Sequence, residues 1–178
     1  MHVHNVMPDR HTFVAALKAC AQLGDVKTAF DILQELKIHG FPMTEHTYNE
    51  LIRVYAGACL HEHVKEEHID MYLKDSMELF KTLEKGENGT EVNIQVLNSL
   101  LLLYSNALRP EQLEAEVLPL YDKFKIKHDI YTYQNLSRMY LKLRDLDTIM
   151  VLWDKLRSKE TFKANLMMLN TVLEAAIR

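Results

Sequence analysis

The feature that most constrains this chain is a pattern that restarts about every 35 residues. Thr12-Phe13-Val14 is followed 35 residues later by Thr47-Tyr48-Asn49, and Thr132-Tyr133-Gln134 holds the same place further on. Each opens an amphipathic run at helical spacing: Phe13, Leu17, Cys20 and Ala21, then Leu51, Ile52 and Tyr55, then Leu136, Met139 and Tyr140. Leu97-Asn98 leads Leu100, Leu101 and Tyr104 in the same way, and Leu169-Asn170 leads Val172, Leu173 and Ala176. A second set of runs also aligns: 29–36 with 76–83, 117–124 and 149–156, an aromatic or leucine standing three residues before a large apolar residue each time. Gly24-Asp25 separates the first pair of runs, and Gly40-Phe41-Pro42 closes it. Two amphipathic helices per period form a hairpin that cannot bury its apolar face alone, so neighbouring hairpins must stack. The expectation is an all-α solenoid of about four to five helix-turn-helix units.

The phase of the pattern divides the chain. Residues 1–9 are the tail of a preceding unit, and 10–44 form the first complete one. Residues 45–93 form the second, with an insertion around 57–70 that includes the His- and Glu-rich stretch His61 to His68. Residues 94–129 and 130–165 follow, and 166–178 begin a fifth unit. The third is longer between its helices, around Leu108 to Leu113, and shorter at its end. Such length changes map to loops or helix extensions on one face of a solenoid. Because the pattern begins and ends inside units, the expectation is a segment of a longer protein. Only five glycines and four prolines punctuate the 178 residues, too few for many short strands and tight turns.

Several classes of chemistry are not supported. There is no Gly-rich phosphate loop and no Gly-x-Ser-x-Gly elbow. His61-Glu62-His63 with His68 fails the His-Glu-x-x-His zinc pattern, because Lys65 stands where the second ligand belongs. Cys20 and Cys59 have no CxxC spacing and suit buried reduced thiols. Asn88-Gly89-Thr90 matches a glycosylation acceptor, a motif short enough to arise by chance. No apolar run reaches the roughly 18 residues of a membrane span, so membrane insertion is not expected. Neither catalysis nor a metal or other cofactor is expected. The balance of 21 basic against 25 acidic residues means that any nucleic-acid role rests on local patches.

These residues resemble the pentatricopeptide repeat family over nearly the whole chain. The shared features are the Thr-Tyr/Phe start, the asparagine after the aromatic, the glycine between the helices, and the Pro8-Asp9 ending. The tetratricopeptide pattern, with its Trp-Leu-Gly signature, is absent. The resemblance implies a right-handed superhelix in which each repeat reads one base of single-stranded RNA through a few side chains. It assigns reading roles to the residue after the aromatic and to the last residue of the repeat. The implied pairs are Val14 with Thr44, Asn49 with Asn93, Asn98 with Asp129, and Gln134 with Asn165; Asn170 opens a further pair. By family analogy Asn98/Asp129 implies uracil and Asn49/Asn93 a pyrimidine, whereas Val14 has no polar edge to offer.

The family's base-bracketing position falls on His11, His46, Gln95 and Tyr131, where rings can stack on bases. One turn after the reading positions come Lys18, Arg53, Leu102 and Arg138, so the inner face carries local positive charge. A phosphate-contacting lysine of the family is matched by Lys142 alone, with Gln22, Gly57 and Asn106 in its place elsewhere. The implied function is non-catalytic binding of single-stranded RNA, either an organellar transcript or ribosomal RNA, in processing, stability or translation. The setting is mitochondrial, or alternatively plastid, with any targeting segment outside this chain. The alternative is a scaffold subunit contacting proteins of a large mitochondrial assembly such as the ribosome. A domain appended to an organellar nuclease is a third reading.

Overall fold

The structure is a computed structural model that describes residues 8–61, 63–86 and 89–157. Its helices are α1 (Arg10–Leu23), α2 (Val26–Ile38), α3 (Glu45–Ala58), α4 (Glu66–Glu84) and α5 (Ile94–Asn106). A composite α6 follows, running as Pro110–Gln112, a π-helical Leu113–Val117 and Leu118–Lys123. The series ends with α7 (Ile130–Leu143) and α8 (Leu146–Arg157), and no strand occurs among the described residues. Leu169 to Ala176, the expected fifth first-helix run, lies outside the described residues.

Polar residues at the starts of the runs fix the helix boundaries. Asp9, Asp25, Asp129 and Asp145 each accept a hydrogen bond from the backbone N–H of a threonine three residues on, Thr12, Thr28, Thr132 and Thr148. Those bonds satisfy amides that the helix start leaves without a partner. Asn93 caps α5 through Val96 N–H at 3.1 Å, and Thr44 pairs with Thr47 at the start of α3. At the far end of α1, Gly24 adopts φ +63°, which halts the helix and turns the chain into α2.

The helices form two layers. First helices α1, α3, α5 and α7 pack side by side in chain order, and α2, α4, α6 and α8 lie against their own first helix. The aligned second-helix runs share one buried register. Ala29, Leu33 and Leu36 correspond to Ser76, Phe80 and Leu83, and to Ile149 and Leu156, all buried. Phe30, within the aligned run 29–36, is nevertheless 43% exposed, its ring tilted against that of Tyr55 with centroids 6.4 Å apart. Its place in α2, one residue past buried Ala29, turns it off the core stripe.

Buried tyrosines tie the layers together. The phenols of Tyr55, Tyr104 and Tyr140 donate to Asp75, Glu116 and Glu114 at 3.4, 2.7 and 2.8 Å. Burial pushes all three phenols well above the usual range, which keeps them donors. Glu114 and Glu116 both come from the π-helical turn, yet they reach different first helices, α7 and α5. The turn arises at Pro119, which lacks an N–H and in a regular helix would collide with the carbonyl four residues back. There Leu118 N–H bonds to the carbonyl of Leu113, five residues back, and the wider turn makes room for the ring.

The second-unit insertion is absorbed by a short loop and by the 19-residue length of α4. His61 Nε2 lies 2.9 Å from the carbonyl oxygen of Leu23, so this histidine caps the end of α1. Arg109 pairs with Glu66 and Asp70, and Lys123 with Glu84, joining α6 to α4 near both ends.

Candidate nucleic-acid interface

Because the first helices lie parallel in one layer, equivalent positions form rows across them. The residue after each helix-opening aromatic or leucine gives the row Asn49, Asn98, Gln134. Three residues earlier lie His46, Gln95 and Tyr131, and one turn later Arg53, Leu102 and Arg138. A groove of about 580 Å³ crosses α3, α5 and α7 along these rows. Its walls include Asn49 and Arg53 of α3, Gln95, Asn98 and Leu102 of α5, and Tyr131, Gln134 and Arg138 of α7. Residues far apart in the chain thus meet on one surface.

The polar groups in the groove differ in how they are engaged. Asn98 donates through Nδ2 to both carboxylate oxygens of Asp129 at 3.1 Å. Its Oδ1 lies 2.9 Å from the Tyr121 phenol and 2.8 Å from the Thr132 hydroxyl, both positioned to donate. Burial pushes the Tyr121 phenol up, which preserves that donor. Asn98 and Asp129, paired in the sequence as co-readers of one base, are therefore in direct contact, and Asp129 also caps α7. Asn49 is buried: its Nδ2 donates to Glu50 at 3.2 Å and its Oδ1 accepts from the Ser99 hydroxyl at 2.7 Å. Gln134 is half-buried on the groove wall. Asn93 has its carbonyl oxygen on the cap of α5. Asn165 and Asn170 lie outside the described residues.

The bracketing residues stand clear of the core. His11, His46 and Gln95 are exposed at the first turns of their helices, and Tyr131 is 63% exposed. Lys18, Arg138 and Lys142 are exposed and have no ion pair among the described residues. Arg53 is half-buried and bonds to Glu50 through Nη1 at 3.2 and 3.3 Å. Among the described residues no group of His, Cys, Asp and Glu gathers as a metal site, and no helix is long and apolar enough to cross a membrane.

Sequence reasoning did not single out Glu50, Ser99 or Asn135, all of which line the groove. The available signal was their position: each follows directly on Asn49, Asn98 or Gln134, and all are polar where the helix turns toward its neighbour. Gly57, noted only for standing where the family has a lysine, has a packing role. A Cβ on it would lie 2.3 Å from the carbonyl oxygen of Ala21 in α1.

Stacked helical hairpins presenting one polar row per first helix define a helical-repeat protein with a groove along its first-helix layer. The chain belongs to the pentatricopeptide repeat family: residues 5–176 match the family model described as the pentacotripeptide-repeat region of PRORP. Among solved structures, the maize pentatricopeptide repeat protein PPR10 aligns over 96% of this chain at 22% identity, with a TM-score of 0.47. PPR10 in complex with an 18-nt psaJ RNA element aligns over 96% at 20% identity, with a TM-score of 0.49. This chain spans 27% and 28% of the length of those two. A search of curated protein sequences gives no match.

Proposed function

We propose that this chain is a non-catalytic segment that binds single-stranded RNA along the α1–α3–α5–α7 layer, in the service of organellar gene expression. The observation that carries the reading is the groove itself, which gathers an exposed ring, Tyr131, carboxamides from α5 and α7, and the cation Arg138, which has no ion pair among the described residues. An exposed ring offers a stacking platform, carboxamides meet base edges, and guanidinium groups meet phosphates. In the family, one repeat addresses one base. The contact between Asn98 and Asp129 supports a shared reading position there, with a pyrimidine, uracil first, as the base it takes.

The test is fluorescence anisotropy with labelled pyrimidine-rich and purine-rich single strands and a duplex, at about 50 and 200 mM salt. The expected result is binding of single strands, favouring pyrimidines and weakening with salt. Arg138→Ala weakens every sequence alike and flattens the plot of log affinity against log salt by about 0.7, the share of one phosphate on a single strand. Failure to bind any single strand at low salt refutes the reading. A second reading, a scaffold subunit of a mitochondrial assembly, is favoured by the internal bonding of both Asn49 and Asn98. It predicts capture of protein partners together with the absence of RNA binding.

A further inference from the structure

Resting on the RNA reading above, we propose that Glu50 attenuates the groove by holding Arg53 away from the RNA backbone. Glu50 is a carboxylate only 7% exposed, on the wall of the groove that would carry a polyanion. Its Oε1 accepts from Asn49 Nδ2 and from Arg53 Nη1, both at 3.2 Å, and Oε2 lies 3.3 Å from the same Nη1. The other end of the Asn49 amide is taken by Ser99. Through one side chain, α3 thus loses both its base-edge donor and its cation to internal partners.

The neighbouring helices show what is withheld. On α7 the residue equivalent to Glu50 is Asn135, and Arg138, equivalent to Arg53, has no carboxylate partner among the described residues. On α5 the equivalents are Ser99 and Leu102, which carry no charge. Along a single row the wall therefore runs from a neutralised pair through an apolar residue to a cation without an ion pair among the described residues. A phosphate passing α3 meets a guanidinium already bonded to a carboxylate that would repel the phosphate, and charge-assisted bonds of that kind are not displaced without loss. Phosphate contacts carry no base information. Through Arg53, Glu50 accordingly lowers affinity for every sequence alike.

The experiment measures affinity for the labelled single strand with four chains: wild type, Glu50→Gln, Arg53→Ala and the double variant. Glutamine keeps an acceptor for Asn49 and removes the charge. We expect Glu50→Gln to bind at least threefold more tightly at about 50 mM salt, for pyrimidine-rich and purine-rich strands alike. The gain should shrink about two- to threefold on going to about 200 mM salt, as one added phosphate contact requires. Arg53→Ala should bind more weakly than wild type, because it leaves the carboxylate bare, and the double variant should return to the wild-type value. Glu50→Ala is measured in parallel and should also bind more tightly, its gain including the Asn49 amide that it frees, and far-ultraviolet circular dichroism confirms that each chain is folded. Folded Glu50→Gln and Glu50→Ala chains that bind no better than wild type overturn the proposal, as does a gain that survives in the double variant. If wild type and all variants ignore single strands, the RNA reading itself has failed.

Discussion

Gly57→Ala is the substitution whose effect follows most directly from the packing. Gly57 lies in α3 where the end of α1 crosses it. A methyl group there would sit 2.3 Å from the Ala21 carbonyl oxygen and 3.2 Å from both N and Cα of Gly24. All three are backbone atoms, so no flexible side chain can step aside. Restoring ordinary contact requires the helices to part by roughly 1 Å in an interior that packs at crystal density. Alanine in place of glycine favours a helix by about 0.8–1 kcal/mol. Overpacking costs about 1–3 kcal/mol, and an obstruction by backbone belongs at the upper end of that range. The net expectation is a loss of about 1–2 kcal/mol. For a chain of this size that lowers Tm by about 2–8 °C, at about 2–4 °C per kcal/mol. Thermal melting followed at 222 nm by circular dichroism measures it. Gly57→Lys, which would supply the family's basic residue, should lose more stability still. A Gly57→Ala chain that melts at or above the wild-type temperature would refute the close approach of α1 and α3.

The helix caps give an acid dependence of defined sign. Hydrogen bonds from the hydroxyls and then the amides of Thr12, Thr28 and Thr148 hold the carboxyls of Asp9, Asp25 and Asp145 below the usual range. Their stabilisation is complete above the unfolded value of about 3.9 and is lost as pH falls through and below it. Urea midpoints of Asp25→Asn should accordingly fall less steeply than wild type between pH 5 and about pH 3, and an unchanged slope would count against the cap. At the alkaline end, burial pushes the Cys59 thiol up to about 11, against an opposing pull from Arg109. The neutral thiol favours the fold below the unfolded value of about 8.5, and this contribution is lost as pH rises toward the folded value. Cys59 should react slowly with an aromatic disulfide reagent at pH 8 when native and rapidly in denaturant; equal rates would show that the thiol is accessible.

The sequence exposed the fold through recurrence. A helical period of 3.6 superposed on a longer repeat leaves few alternatives to stacked hairpins, and the aligned second-helix runs carry their buried residues in one register. Chain order also placed the groove rows, since equivalent positions on neighbouring first helices must share a face. What stayed hidden were side-chain partnerships between units. Asn49 meets Ser99 across 50 residues and Asn98 meets Asp129 across 31, distances that local spacing does not report. The acidic neighbour Glu50 looked like any solvent-facing helix residue, yet it is buried and bonded to Asn49 and Arg53. The last residue of each unit was considered only for reading bases, although Asp9, Asn93 and Asp129 also have the plainer task of starting a helix. The π-helical turn was equally hard to foresee, because Pro119 alone does not say whether a helix will break or widen.

That widened turn has a further consequence. Both irregular units take up their surplus residues away from the groove, one in a loop and a lengthened α4, the other as a swelling within α6. The α3, α5 and α7 strips consequently keep equivalent residues on one groove wall whatever happens behind them. A thread laid across those strips would meet its footholds one helix after another, although the segments of chain that supply them are unequal in length.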